Sequence, residues 1–398
     1  MRIAYFSPLN PIKSGISDYS EELLECLEGY GSIDLFVDGY SPSASWLHEE
    51  FKISNYEAFY KENANSNYDI TIYHVGNSDN HAYIWKTLQK YPGLVVLHEP
   101  ILHHFVFSQT VGNNMLGDYL RELDYSYNSR RFEIVKTTLE ARDENSWYKY
   151  PLVERIIDAS LGIIVHSEFA KEIVQGIRPR APVRKIFSHF APPSAAGRSP
   201  ELLRETLGFM KDDFLVGSFG YMTASKQIDV LLKTIAMVKA AGYSIKLLLV
   251  GKGMPGCDIH HMIEELDIEE DVIVTGFIDT QAFWEYLRIP DVCVALRCPS
   301  AGETSGSVVK LMGSGCTVVV SDHMAFSEFP DDCCVKIPIG DGEAEELARR
   351  FISFIENPNE SRLIGHRART YVEQYHNIHA SARDYMEFIR EILSGRHA

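Results

Sequence analysis

The chain has 398 residues, 45% of them apolar and 23% charged, and carries a formal net charge of −17. A chain of this length exceeds what one hydrophobic core usually serves, so two domains are expected and disorder along most of it is excluded. The acidity excludes an exposed nucleic-acid surface, which needs a concentrated basic face, but it leaves room for a local basic pocket holding one diphosphate.

Short β-rich apolar runs alternate with amphipathic stretches along the whole chain. Strands are expected at Ile3–Phe6, Ile33–Val37, Ile70–His74, Leu94–His98 and Gly162–His166. A second series follows at Phe214–Phe219, Ile245–Val250, Val272–Thr275, Val292–Leu296 and Thr317–Ser321. Uninterrupted apolar strands suit a parallel sheet covered by helices on both faces. Two such series predict an α/β protein with two doubly wound, Rossmann-like domains. The stretch Ala191–Pro200, APPSAAGRSP, breaks the pattern and marks the join. Val106–Pro151 lacks a strand pattern and reads as helices and loops inserted in the first domain. The tail Ala380–Leu393 places Ala382, Tyr385, Met386, Ile389 and Leu393 at helical spacing, an amphipathic terminal helix.

The seven cysteines show no CxxC pair and read as reduced thiols of a cytoplasmic protein. No apolar run reaches membrane-spanning length, and the run in MRIAYFSP is too short for a signal peptide. Peripheral association with the inner membrane face stays compatible with both observations.

In such domains ligands bind beyond the carboxyl ends of the strands. After the first strand, SPLNPIKSGISDYSEELL reads as a turn entering a helix. Gly15 there lets the backbone pass close to a ligand, and Ser14 or Ser17 is placed to cap the helix; a plain strand–helix connection has the same pattern. Histidines gather at later strand ends: His74 and His81 in YHVGNSDNH, His98, His103 and His104 in LHEPILHH, and His166 beside Ser167. Their number sets them apart from lone structural histidines.

In the second half, GSFGYMTASK follows a strand and brings Lys226 to a glycine-containing turn, as a diphosphate site requires. LLLVGKG carries Gly251, and VIVTGF carries Gly276 and Phe277. VALRCPSAGETSGSVVKLMG leaves a strand with Arg297 and Glu303 in a loop, and a helix is expected to start around Thr304–Ser307. Small residues with free backbone N–H groups at a helix start suit an anion. Glu303 suits sugar hydroxyls or, equally, a capping role.

In spacing and order these motifs resemble glycosyltransferase family 4, over essentially the whole chain and most specifically over Gly217–Pro330. The resemblance implies a GT-B fold, two Rossmann-like domains facing across a cleft. Residues 1–190 would form the acceptor-side domain, with helix 380–398 packing back on it, and 191–379 would hold the nucleotide-sugar. It implies a retaining transfer of a hexose from a UDP- or GDP-sugar, without metal or other cofactor; the Asp-x-Asp motif of metal-dependent GT-A enzymes does not accompany the histidines. The acceptor implied is a sugar or lipid-linked saccharide, in cell-surface polysaccharide or glycoconjugate synthesis.

Carried over residue by residue, the resemblance places Lys226 and the backbone of Thr304, Ser305, Gly306 and Ser307 on the diphosphate, with Gly15 beneath it. Glu303 contacts donor-sugar hydroxyls and His98 lies in the reaction centre. Gly251, Gly276 and Phe277 adjoin the nucleoside. Ile16, Asn77, His81 and His166 fall on the acceptor or sugar side. The sequence departs from the family twice. Tyr221 stands where an arginine precedes the lysine by five residues, and Lys310 stands near the place of a second, ribose-binding glutamate. Arg297 is the candidate to replace the missing cation. Two rival readings follow. A dinucleotide oxidoreductase is rejected, because SPLNPIKSG is not GxGxxG. A non-catalytic nucleotide-sugar-binding protein is the alternative that the two departures motivate.

Overall fold

A computed structural model describes residues 1–63, 67–140, 144–193, 197–254 and 258–395. Cys257, positions 194–196 of the expected join, 141–143 of the insert and the last three of the tail lie outside the described residues.

The first sheet contains β1 (Arg2–Phe6), β2 (Ser32–Val37), β3 (Lys52–Asn55), β4 (Ile70–Val75), β5 (Gly93–Leu97), β6 (Ser160–Val165) and β7 (Val183–Lys185). All pair in parallel, in the order β3-β2-β1-β4-β5-β6-β7. The second contains β8 (Phe214–Phe219), β9 (Ile245–Val250), β10 (Val272–Val274), β11 (Val292–Ala295), β12 (Thr317–Ser321) and β13 (Val335–Ile337). These are also parallel, in the order β10-β9-β8-β11-β12-β13. In both sheets the order reverses beside that sheet's own first strand, β1 or β8, which is the switch point of doubly wound folds.

Each sheet is buried on both faces, which explains its continuous apolar strands. On one face of the first sheet Ile3, Tyr5, Leu35 and Ile72 meet Leu23 and Leu24 of the helix Gly15–Leu27. On the other, Ala4, Phe6, Phe36 and Tyr73 meet Tyr83, Ile84 and Leu88. The second sheet divides likewise. Val216, Leu247, Leu249 and Val294 face Leu231, Leu232 and Ile235, while Leu215, Leu248, Val250 and Cys293 face Val308, Val309 and Met312.

The chain separates into two compact units, one of Met1–His189, Ala301–Thr304 and the chain from Ile378, the other of Phe190–Ser300 and Ser305–Asn377. Within the first, the helix Ile378–Leu393 buries Ala382, Tyr385, Met386, Phe388 and Ile389 in the same core as Tyr19, Leu23 and Leu27. Tyr385 and Tyr19 hydrogen-bond hydroxyl to hydroxyl at 2.7 Å, with no solvent access to Tyr385. Tyr385→Phe strands the Tyr19 hydroxyl and should destabilise the first unit by about 1–2 kcal/mol, read as a lower urea midpoint. The insert is helical at His103–Thr110, Leu116–Tyr127 and Arg131–Val135, with a small core of its own around Phe105, Tyr119, Leu123 and Ile134.

Candidate active site

In the second unit the loops of interest leave the carboxyl ends of four neighbouring strands, β10, β9, β8 and β11. Backbone hydrogen bonds join them beyond the sheet. Gly220 N donates to Val250 O at 2.8 Å, Met222 N to Lys252 O at 3.0 Å, and Met254 N to Met222 O at 3.0 Å. Gly251 also forms a bridge with Gly276. Gly251 has φ +149°, and a Cβ there would run into the Gly220 carbonyl. Gly251→Ala should therefore cost about 1–3 kcal/mol, seen as a lower unfolding midpoint of the second unit, because backbone rather than a side-chain tip is in the way. Phe277, after Gly276, is 51% exposed.

Ser225, which sequence reasoning did not single out, ties the lysine loop to the β11 loop. Its carbonyl accepts from Cys298 N at 2.8 Å and its hydroxyl from Arg297 Nη1 at 3.2 Å. Lys226 and Arg297 are thereby brought onto adjoining loops. The Arg297 backbone is anchored by its N–H donating to Ser321 Oγ at 2.8 Å. Lys226 Nζ donates to Phe219 O at 2.5 Å. Next in sequence, Gln227 adopts φ +50° at the start of the helix Ile228–Ala240 and donates through Nε2 to Glu343 at 2.7 Å.

The helix expected around Thr304–Ser307 begins at Gly306 and runs to Gly313, with Ser305 as its cap. The Ser305 hydroxyl accepts from Val308 N at 3.4 Å and lies 3.0 Å from the Ser307 hydroxyl. Gly306 is exposed with open space where a Cβ would sit, and the first-turn N–H groups have no acceptor within the helix. Lys310, one turn further, lies with Nζ 5.4 Å from the centre of the Trp284 ring. Ala301–Thr304 belong to the first unit, where Glu303 Oε2 accepts from Ala301 N at 3.0 Å.

In the first unit, three histidines stand at the ends of adjacent strands: His74 within β4, His98 after β5 and His166 after β6. His74 Nδ1 and His98 Nε2 are hydrogen-bonded at 3.0 Å, and the His98 and His166 ring centres are 5.1 Å apart. Tyr19 packs edge-on to His98 at 4.9 Å and lies 5.2 Å from His166 and 4.1 Å from His189, centre to centre. His189 follows β7 and reaches Glu22 at 3.2 Å. Sequence reasoning missed Tyr19 and His189; the second follows an edge strand too short to leave an apolar run.

The other histidines separate from this group. His103 is locked inside the insert, with Nδ1 on the Tyr150 carbonyl at 2.8 Å and Nε2 on the Tyr119 hydroxyl at 2.7 Å. His104 stacks edge-on to Trp147. His81 is buried, with Nδ1 3.0 Å from Ser78 O. Asn77 holds the loop after β5: its N–H donates to Glu99 at 2.6 Å and its side chain to Ile101 O at 2.6 Å. Ser14, not Ser17, caps the first helix, accepting from Ser17 N at 3.0 Å. Gly15 is exposed there, and Ile16 borders Gly76 and His81, since a Cβ on Gly76 would lie 2.6 Å from Ile16 Cδ1 and 3.3 Å from His81.

Burial pushes His74 and His98 well below the ordinary histidine range, with the neighbouring histidines adding to it, and lowers His81 and His103 to about 4. These side chains are neutral at neutral pH. The unfolded chain binds their protons near pH 6.5, whereas the folded chain does so only near 4 at His81 and His103 and well below the ordinary range at His74 and His98. Their contribution to stability is complete above about pH 6.5 and is lost as pH falls toward 4. Urea midpoints of the first unit should fall through that window; a flat profile would mean that these histidines are solvated.

No group of three or more His, Cys, Asp or Glu among the described residues is placed to hold a metal ion. No helix among them is long and apolar enough to cross a membrane.

Residues 200–371 match the family of glycosyl transferases group 1. The matched segment includes Lys226, Gly251, Gly276, Phe277, Arg297, Glu303, the Thr304–Ser307 turn and Lys310. The chain is also similar to the alpha-monoglucosyldiacylglycerol synthase of Streptococcus pneumoniae (strain ATCC BAA-255 / R6), 24% identical over 180 residues. That match spans 44% of this chain and only 40% of the relative. Over the whole chain the structure is similar to sucrose-phosphate synthase from Thermosynechococcus elongatus, with TM-score 0.70, 18% identity and 99% of each chain covered. It is also similar to Anabaena HepE in complex with UDP-glucose, with TM-score 0.68, 16% identity and coverage of 99% of this chain and 100% of that one. At these identities the likeness concerns the fold, which is GT-B.

Proposed function

We propose that the protein is a retaining, metal-independent hexosyltransferase that uses a nucleoside-diphosphate sugar, with UDP as the favoured carrier. The observation that carries this reading is the joining of Lys226 and Arg297 through Ser225, within a segment that matches group 1 glycosyl transferases. Two cations on adjoining loops, with a serine-capped helix start beyond Arg297, are what a diphosphate needs. The UDP-glucose in the similar HepE structure supports UDP over GDP.

In this reading the bond from the anomeric carbon to the diphosphate oxygen breaks, and the acceptor oxygen bonds to that carbon on the same face. The acceptor proton passes to the leaving diphosphate. Lys226, Arg297 and the Gly306 and Ser307 N–H groups stabilise the charge that develops there. Glu303 orients the transferring sugar, and neutral His98 hydrogen-bonds to the sugar or the diphosphate. Gly251, Gly276 and Phe277 border the nucleoside, while Lys310 takes part on the ribose side. Ile16, Asn77, His81 and His166 adjoin the sugar or acceptor. The glycolipid-synthase relative favours a lipid-linked or lipid acceptor at a membrane surface.

The test is turnover of UDP-glucose with saccharide and lipid acceptors, following UDP release and the anomeric signal of the product by NMR. Acceptor-dependent UDP release with an α-linked product supports the reading. Tight UDP-glucose binding with no product from any acceptor would favour a non-catalytic binding protein, the reading that Tyr221 and Lys310 keep alive.

A further inference from the structure

His98 has a buried partner whose role no motif announces. β4 and β5 pair in parallel with His74 opposite Val96, and His98 N donates to Val75 O at 3.0 Å just past the last paired residues. This register sets the two imidazoles side by side, with ring centres 5.2 Å apart and planes at 29°. His74 Nδ1 and His98 Nε2 meet at 3.0 Å. His74 has no solvent access, whereas His98 is half-buried.

Both rings are held neutral by burial, so a single proton lies between the two nitrogens. It belongs either to His74 Nδ1 or to His98 Nε2. The environment of the far nitrogen of His74 decides which. His74 Nε2 is buried and without a hydrogen-bond partner among the described residues. Were the shared proton on His98, His74 would carry its own on Nε2 and bury a bare N–H donor. With the shared proton on His74 Nδ1, the atom left at Nε2 is an unmet lone pair. Stranded buried N–H donors are the rarer of the two in folded proteins.

We propose that His74 is a positioning residue that donates from Nδ1 to His98 Nε2 and so fixes the His98 proton on Nδ1. His98 then presents an N–H donor, not a lone pair, to an oxygen of its ligand. Among the described residues His98 Nδ1 makes no hydrogen bond. The consequence for catalysis rests on the glycosyltransferase reading: a donor at that atom suits a sugar hydroxyl oxygen or a diphosphate oxygen, and the opposite tautomer would repel it.

The test is 15N NMR of the full-length, 15N-histidine-labelled protein above neutral pH, with His98 assigned by loss of its signals in His98→Gln. His98 should show a protonated Nδ1 and an unprotonated, hydrogen-bonded Nε2. His74→Leu should release that preference, giving mixed tautomers. His74→Asn, whose amide N–H lies near the place of Nδ1, should restore it. In a transfer assay His74→Leu should lower kcat on the order of tenfold or more with little change in donor KM, and His74→Asn should recover most of the loss. A His98 proton on Nε2 in the unmodified protein overturns the proposal, as does an unchanged His98 spectrum in His74→Leu. If the tautomer is as stated but no sugar is transferred, the proposal holds and the enzymatic reading is what fails.

Discussion

Lys226→Ala should weaken UDP binding by about tenfold to a hundredfold, the value of one or two charge-assisted hydrogen bonds to a phosphate. The size of the effect follows from the scarcity of positive charge on this loop. Tyr221, exposed and uncharged, stands five residues before the lysine, where the family resemblance implies an arginine. In the proposed site Lys226 and Arg297 supply the positive charge, beside the Gly306 and Ser307 N–H groups. In the free protein the ammonium donates to the Phe219 carbonyl, so UDP must draw it away and the net gain is smaller than the bare ion pair. Lys226→Arg should recover part of the loss, because the charge returns in a different shape. Calorimetry with UDP reads this directly, and an unchanged affinity in Lys226→Ala would remove the lysine from the phosphate site.

Glu303→Ala should lower kcat by about a hundredfold or more while leaving UDP affinity within a factor of about two. The separation arises because UDP lacks the sugar that Glu303 is assigned to hold. Glu303 Oε2 accepts from Ala301 N, which orients the carboxylate within its own loop. Glu303→Gln keeps that acceptor and loses the charge, so it should retain the loop geometry and fall between the two in rate. An equal loss of UDP affinity and rate in Glu303→Ala would assign the glutamate to the nucleotide or to the loop instead of the sugar.

The parts of the fold that could be read from the sequence are those that its physics writes in apolar runs. β8, β9 and β12 lie where their runs predict, because strands buried on both faces need apolar side chains throughout. β3, β7 and β13 were invisible for the converse reason. They are three or four residues long, read KISN, VRK and VKI, and occupy sheet edges, where one neighbour suffices and polar residues are tolerated.

The site divides on similar lines. The Ser305 cap and the small residues after it are local chemistry, and LRCPSAGETSGS displays them in order. The role of Ser225 is not, because it depends on how the β8 loop meets the β11 loop. The histidines show both cases. His98 and His166 end strong apolar strands, whereas His103, five residues on from His98, turns into the insert to meet Tyr119 and Tyr150. Tyr19 joins the histidines through a helix face, and Tyr385 reaches Tyr19 from 366 residues away in the chain. No local pattern carries such a pairing.

The central claim is that the second unit holds a nucleoside diphosphate without a metal. Isothermal titration of the full-length protein with UDP, GDP, ADP and NAD, each with and without EDTA, tests it most directly. The account predicts saturable binding of UDP at one site, unchanged by EDTA, with GDP and ADP weaker and NAD silent. Binding of NAD alone, or of no nucleoside diphosphate at all, would contradict it.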